Sequence, residues 1–177
     1  MIVGWLLEVF VAVAIPLAIE ALRARRNEYT QLRRGGREPH GDVYKLMRVA
    51  YPGVFAAMIG EAIIVGRAVP RTILAGMVVF GIAKALKWWA IVTLGPAWTF
   101  RVIVVPGDRM IASGPYKYLR HPNYAAVVGE LAGAALMTGS TVSGALGIVL
   151  FGMLLRRRIA VEDRALASAA RYPPCSL

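Results

Sequence analysis

The chain is poor in the residues that build disulfides and metal centres. Its 177 residues include one cysteine and two histidines. A single thiol excludes an internal disulfide and any site with several cysteine ligands, and we expect no metal site. Nothing close to Cys175 in the sequence would activate it for catalysis. Acidic residues are also scarce, with 10 Asp and Glu against 21 Lys and Arg, which gives a formal net charge of +11.

Long apolar runs take the place of these features. Hydrophobic residues make up 58% of the chain, whereas soluble domains contain about 45–50%. The first run follows no basic residue and is too long for a cleaved signal peptide, so we interpret it as a retained membrane helix. Glycine recurs through the later runs and favours close helix packing. We predict one all-α integral membrane domain, residues 1–177, with spans at 2–22, 46–66, 72–94, 122–137 and 142–155.

The distribution of Lys and Arg predicts the orientation of these five spans. Eight lie in residues 23–48, four in 95–121 and five in 156–171, whereas the loops on the other side hold only Arg67 and Arg71. By the positive-inside rule, the N-terminus is outside and the C-terminus is cytoplasmic. This asymmetry accounts for the positive charge, and we expect no nucleic acid partner.

Two stretches on the cytoplasmic side do not have the pattern of a span. Residues 98–105 are β-branched and aromatic and precede a Pro-Gly pair, which predicts an extended segment or a short hairpin. Residues 156–170 mix apolar and charged side chains, which predicts a cytoplasmic helix that leaves the bilayer. The last two spans are joined only by residues 138–141, so they must form an antiparallel hairpin.

Several charged residues lie inside predicted spans. Lys84 and Lys87 are one turn apart, and the simplest interpretation is that both reach the cytoplasmic interface beside two tryptophans. The alternative is that they attract an anionic head group. Glu130 has no Lys or Arg four residues away, so it is either catalytic or bonded to another span. Glu8 and Glu61 lie nearer the outer ends of their spans and need no functional interpretation.

The sharpest local signal immediately precedes the fourth span. Residues 113–124 read Ser-Gly-Pro-Tyr-Lys-Tyr-Leu-Arg-His-Pro-Asn-Tyr, in which Gly114 and Pro115 make a turn and Pro122 suits the first position of a helix. His121 then lies at the helix entrance, where the helix dipole favours a carboxylate or phosphate. A helix cap without a binding role is the alternative.

A second group of charges follows the fifth span, in Arg-Ile-Ala-Val-Glu-Asp-Arg-Ala-Leu at residues 158–166. Because span five returns beside span four, this group and His121 lie at the same membrane face. Arg158 and Glu162 are four residues apart, so an ion pair within the helix is the simplest interpretation of both.

These two motifs resemble the isoprenylcysteine carboxyl methyltransferase family, which is itself similar to the phospholipid N-methyltransferases. The family carries Arg-His-Pro-x-Tyr before a helical hairpin and Arg-x-x-x-Glu-Glu-x-x-Leu after it. The matching residues are Arg120, His121, Pro122, Tyr124, Arg158, Glu162 and Leu166. Asp163 replaces the second glutamate, and the Phe-Gly-x-x-Tyr ending common in the family is absent. Residues 26–28 and 98–103 look like a bacterial subgroup whose proposed acceptors are alkylpyrones and alkylresorcinols.

The resemblance implies an enzyme that binds S-adenosylmethionine, releases S-adenosylhomocysteine and methylates a lipophilic or lipidated acceptor at a carboxylate, enol or phenol oxygen. It implies a multi-pass protein of the bacterial inner membrane with a cytoplasmic active site. The implied cofactor-binding residues are Ala112, Gly114, Tyr118, Leu119, His121, Pro122, Tyr124 and Glu162. The candidate catalytic residues are Arg120, Glu130 and Arg158. Arg120 or Arg158 would hold an anionic acceptor, and Glu130 or His121 would act as a base if the acceptor is a phenol.

Two other functions remain compatible with the sequence. One is a different methyl transfer, to the nitrogen of an ethanolamine lipid or to the carboxylate of a prenylated peptide. The other is non-enzymatic: a channel, transporter subunit or scaffold with a degenerate pocket. A transporter should show repeated or broken helices around midplane charges, and the sequence has no internal repeat. Cofactor binding separates the enzymes from this last class, and nothing in the sequence indicates the oligomeric state.

Overall fold

A computed structural model describes residues 2–65, 70–108 and 110–171, which form an all-α fold. Its α-helices are α1 Ile2–Arg33, α2 Tyr44–Val65, α3 Pro70–Leu94, α4 Pro122–Thr138 and α5 Thr141–Arg171. Two short 3-10 helices, Gly95–Ala97 and Gly114–Lys117, lie in the connection from α3 to α4. The predicted fold class is confirmed for the described residues, and Cys175 and Arg67 lie outside them.

Three helices are long and apolar enough to cross a membrane by themselves. They are Gly4–Arg33, Tyr44–Val65 and Thr72–Ala97. Large apolar side chains on their outer surfaces are exposed, as expected for contact with lipid, and include Phe10, Ile64 and Ile82. Helix α4 has only 17 residues, and α5 carries three consecutive arginines from residue 156. Five crossings and the orientation of the termini therefore stay predictions.

Helix α1 is longer than the predicted first span. It continues from residue 22 to Arg33 because good helix formers follow and no glycine or proline intervenes. It ends where Gly35 adopts a left-handed φ of +84° and the Gly36 amide donates to the Gln31 carbonyl at 2.9 Å. The apolar part of α1 is thus extended by a polar segment of about 16 Å.

The C-terminal cytoplasmic helix predicted at residues 156–170 is not a separate element. It continues the fifth predicted span without a break, so that α5 has 31 residues and is about 46 Å long. No glycine or proline lies between Gly152 and Pro173 to interrupt it.

A tight turn joins α4 to α5 and confirms the predicted hairpin. Gly139 closes α4 with a φ of +69°, and its amide donates to the Ala135 carbonyl. The Ser140 amide donates to the same carbonyl at 3.0 Å, and the Ser140 hydroxyl donates to the Met58 carbonyl of α2 at 2.5 Å. On the same side, Glu61 of α2 accepts hydrogen bonds from the first turn of α5, so its role is structural.

Helix α4 lies at the centre of the bundle and contacts the other four α-helices. Its contact with α3 depends on glycines. A Cβ at Gly133 would lie 2.7 Å from the Phe80 backbone nitrogen, and one at Gly76 would lie 2.6 Å from the Met137 nitrogen. The two backbones touch directly here, as small residues allow in membrane helices.

Adding a methyl group at this contact should therefore separate α3 from α4. We expect Gly133→Ala to lower the free energy of unfolding by about 1–3 kcal/mol, the usual cost of overpacking. Thermal unfolding in detergent micelles would measure it. Gly81→Ala is the matched control, because a Cβ at Gly81 meets no atom within 4 Å. Equal stability of both variants would contradict the close contact.

Residues 98–105 form an extended segment, as predicted, but not a hairpin. Their partner is distant in sequence: Arg37 and Val104 exchange two antiparallel backbone hydrogen bonds of 2.9 and 3.0 Å. The polar end of α1 also holds this region. Asn27 donates to the Trp98 carbonyl at 2.7 Å, and Gln31 donates to the Pro96 carbonyl at 2.7 Å. The loop after α1 is thereby fixed beside the entrance to α4.

Candidate functional site

Arg158 of α5 is the centre of the polar cluster at the entrance to α4. Its side chain is only 6% exposed, and all three guanidinium nitrogens donate hydrogen bonds. Nε donates to the Tyr124 hydroxyl at 2.9 Å, Nη1 to Asp42 at 2.9 Å, and Nη2 to the Phe100 carbonyl. One side chain thus ties together α4, α5, the loop after α1 and the extended segment.

Tyr124 separates Arg158 from Glu162. Its hydroxyl accepts the hydrogen bond from Arg158 and donates one of 2.5 Å to Glu162 Oε2. The ion pair expected between Arg158 and Glu162 is therefore wrong, because Arg158 pairs with Asp42 instead. Within the described residues Glu162 has no cationic partner inside 4 Å.

His121 lies on the other side of Tyr124, as the residue that precedes α4. The two rings stack with their centroids 5.5 Å apart. His121 Nε2 is buried and makes no hydrogen bond to a described residue, although Asp163 Oδ1 lies 3.4 Å away. Asp163 also lies 3.3 Å from Arg120, whose side chain is 75% exposed. Pro122 is buried as the first residue of α4, and the Tyr124 amide donates to the His121 carbonyl at 3.1 Å.

The loop before α4 brings further predicted residues to the rim of this cluster. Gly114 has a φ of +56°, and a Cβ there would collide with the Thr93 side chain of α3, so only glycine fits. Ala112, Tyr118 and Leu119 are exposed. No hydrogen bond or ion pair links their side chains to Glu162 among the described residues.

Two residues of the cluster were missed by the sequence analysis. Asp42 accepts from Arg158 and has a side chain that is 10% exposed. Tyr116 is half-buried, and its burial, together with the Glu162 carboxylate, raises the pKa of its phenol above the usual value. Tyr118, which was predicted from the same loop, is 73% exposed. Asp42 gave no signal, because it lies far from both motifs in the sequence.

A second polar cluster lies inside the bundle, further from the entrance to α4 than the Arg158 cluster. Glu20 of α1 and Glu130 of α4 are fully buried, and Lys84 and Lys87 of α3 each contact both carboxylates at 2.7–3.2 Å. The Tyr51 hydroxyl of α2 donates to Glu130. These four charges form a closed ring, which we call the buried charge ring, and it joins α1, α3 and α4.

The buried charge ring corrects one expectation and refines another. The side chains of Lys84 and Lys87 are 15% and 3% exposed, so the prediction that both reach the interface is wrong. Glu130 does have partners on another helix, in Lys84 and Lys87 of α3. It lies six positions after Tyr124, which contacts Arg158, so Glu130 is about 9 Å deeper along the axis of α4 than this contact. Its role as a base stays a prediction.

Beside the Arg158 cluster, an open groove of about 200 Å³ runs between the loop after α1 and α5. Its lining residues are Pro39, His40, Val161, Arg164, Ala165 and Ser168. Among the described residues, no group of three or more His, Cys, Asp or Glu side chains is arranged to hold a metal ion. Among its lining residues, Arg164, His40 and Ser168 give the groove polar and charged groups.

Comparisons with known proteins match this part of the chain to a methyltransferase family. The model of the isoprenylcysteine carboxyl methyltransferase (ICMT) family matches residues 73–168, more than half of the chain. A protein of Bacillus subtilis (strain 168), described as "Uncharacterized protein YpbQ", is 30% identical over 92% of this chain and 95% of its own length. An "Uncharacterized protein" of Haemophilus influenzae is 27% identical over 69% of this chain and 72% of its own length. No solved structure matches the chain.

Proposed function

Because the chain belongs to the isoprenylcysteine carboxyl methyltransferase family, we propose that it transfers a methyl group from S-adenosylmethionine to an oxygen of a lipophilic acceptor in the membrane. The observation that carries the proposal is the arrangement around Tyr124. Two groups lie next to this side chain: the Glu162 carboxylate, which has no ion pair with a described residue, and the buried His121 Nε2, which has no hydrogen bond to one.

The donor set fits the amino-acid end of the cofactor, which carries an ammonium group and a carboxylate. Glu162 supplies acceptor oxygens for the ammonium, and His121 Nε2 supplies a donor for the carboxylate. The dipole of α4 also favours the carboxylate, although the Tyr124 amide is already bonded within the first turn. Ala112, Gly114, Tyr118 and Leu119 would then line the adenosine.

Methyl transfer from S-adenosylmethionine requires the protein mainly to position the two reactants. The sulfonium of the cofactor already activates the methyl group, so the protein has to align donor and acceptor and exclude water. Arg158 is fully occupied by Tyr124, Asp42 and Phe100, which suits a residue that shapes the site. Arg120 is exposed and better placed than Arg158 to hold an anionic acceptor.

The acceptor class and the location belong to the same proposal. Exposed apolar side chains on the outer faces of α1, α2 and α3 support a protein embedded in lipid, with an acceptor that enters from the bilayer. The excess of Lys and Arg at the end of the bundle that holds the cluster supports a cytoplasmic active site. The two relatives come from bacteria and support a bacterial protein, for which we propose a location in the inner membrane.

Calorimetric titration of the detergent-purified protein with S-adenosylmethionine and S-adenosylhomocysteine tests this function. We expect saturable binding, and His121→Ala should weaken it by about 1–2 kcal/mol because a charge-assisted hydrogen bond is lost. Glu8→Ala is the control, because Glu8 is exposed near the start of α1, at the other end of this helix from the residues that hold the site. If the wild-type protein does not bind either ligand at millimolar concentration, the methyltransferase proposal fails.

A further inference from the structure

Two acidic side chains and one basic side chain meet at the Arg158 cluster. Asp42 and Glu162 are negative and Arg158 is positive, so the group carries one negative charge in excess. Asp42 and Arg158 are both at least nine-tenths buried and lie 2.9 Å apart. Glu162 is left without an ion pair among the described residues and bonds only through the Tyr124 hydroxyl. Of these two carboxylates, the one that pairs with Arg158 is therefore Asp42.

This assignment is a choice between two carboxylates. Glu162 is four residues after Arg158 on α5, a spacing at which Arg and Glu side chains meet readily. If Asp42 were neutral, the buried guanidinium would lack a counter-charge, and Glu162 would be the nearest carboxylate on its own helix. A buried charge without a partner is costly, so Arg158 would then recruit Glu162.

Asp42 is itself held in place by the backbone. Its Oδ1 accepts from the Tyr44 amide at 3.1 Å, at the start of α2, and its Oδ2 accepts from the Val102 amide at 3.0 Å. The segment around Val102 is fixed in turn by the backbone pairing of Arg37 with Val104. Asp42 therefore presents a pre-arranged carboxylate to Arg158 and needs no side-chain ordering when a ligand binds.

We propose that Asp42 is a positioning residue of the cofactor site, which keeps Glu162 available for the cofactor's cationic group by pairing with Arg158. This inference rests on the proposed function. Asp42 lies outside residues 73–168, the part that the family model matches, and the N-terminal part of the chain thereby completes a site built from α4 and α5. The excess negative charge also favours the sulfonium form of the cofactor over its neutral product.

The test is calorimetric binding to the Asp42→Asn variant of the full chain. Asparagine keeps the shape of the side chain but removes its charge. Arg158 then loses its ion pair with residue 42 and forms one with Glu162. We expect the dissociation constant for S-adenosylmethionine to rise about tenfold or more, and the preference for it over S-adenosylhomocysteine to fall. Asp108→Asn is the matched control, because Asp108 makes an exposed pair with Arg34. It should change the constant less than twofold.

A double-mutant cycle separates positioning from simple stabilisation. Arg158→Met removes the cation that Asp42 is proposed to hold away from Glu162. In the Arg158→Met background, Asp42→Asn should therefore weaken cofactor binding no further. Additive losses would overturn the proposal, and so would unchanged binding to Asp42→Asn.

Hydrogen exchange distinguishes a failure of this inference from a failure of the proposed function. Asp42→Asn should accelerate exchange at the Tyr44 and Val102 amides, because the carboxylate that accepts from both is weakened. Faster exchange with normal cofactor binding would make Asp42 purely structural and overturn the inference alone. Absence of cofactor binding to the wild-type protein would overturn the function, and the inference with it.

Discussion

Replacing Lys87 by methionine should lower the free energy of unfolding by about 3–5 kcal/mol, the cost of breaking a buried ion pair on one side. Lys87 is 3% exposed and contacts Glu20 at 2.7 Å and Glu130 at 3.2 Å. Without it, Lys84 is the one cation among the described residues that contacts the two fully buried carboxylates. Chemical unfolding in mixed micelles, followed by circular dichroism, would measure the loss.

A second lysine-to-methionine variant serves as the control for Lys87→Met, and a glutamate-to-glutamine substitution serves as the rescue. Lys45→Met removes an exposed lysine near the start of α2 and should change stability by less than about 0.5 kcal/mol. Adding Glu20→Gln to Lys87→Met restores the charge balance of the ring, and we expect it to recover at least half of the loss. If Lys87→Met unfolds like the wild-type protein, the buried charge ring does not exist in the membrane-embedded fold.

Replacing Arg158 by lysine should abolish measurable methyl transfer and destabilise the protein by about 3 kcal/mol or more. Lysine keeps the charge but cannot reproduce the planar fork that reaches Tyr124, Asp42 and the Phe100 carbonyl together. At least two hydrogen bonds of a charged donor are lost, each worth about 1.5–3 kcal/mol. Incorporation of labelled methyl groups into a lipophilic acceptor and thermal unfolding would measure the two effects.

The neighbouring arginine supplies the control for this substitution. Arg157 is exposed on the same turn of α5, so Arg157→Lys should leave both activity and unfolding temperature within error of the wild-type protein. If Arg158→Lys keeps its activity and only its stability falls, the three hydrogen bonds of Arg158 to Tyr124, Asp42 and the Phe100 carbonyl are not required for the geometry of the site.

The helices were predictable from the sequence because hydrophobic length alone determines where a span must lie. The predicted starts of the second to fifth spans agree with the helices within two residues. The errors are at the C-terminal ends of α1 and α5, where apolar character ends but helix propensity does not. Both helices continue until a glycine or the end of the described chain, since charged residues such as Arg and Glu are good helix formers.

The site was predictable only where its residues form a local motif. His121 and Tyr124 share one helix turn, and Arg158 and Glu162 share another, so spacing predicted their neighbourhood. Asp42 reaches the site through a loop whose path depends on backbone pairing with a distant segment, which no local pattern encodes. The lysines of the third span were misinterpreted for a related reason. A lysine that meets a carboxylate of another helix has the same sequence signature as one that reaches water.

Helix α5 is unbroken, so a tilt about its N-terminal end also displaces Arg158, which lies towards its other end. Its first turn is capped by Glu61 on one side, and Arg158 lies 17 residues, or about 26 Å, further along. A tilt of roughly 5° about the capped end would displace Arg158 by roughly 2 Å, and tilt is how helices adapt to bilayer thickness. Turnover should therefore depend on the acyl-chain length of the surrounding phospholipids. We expect an optimum at the bilayer thickness that lets Arg158 contact Tyr124, Asp42 and the Phe100 carbonyl together.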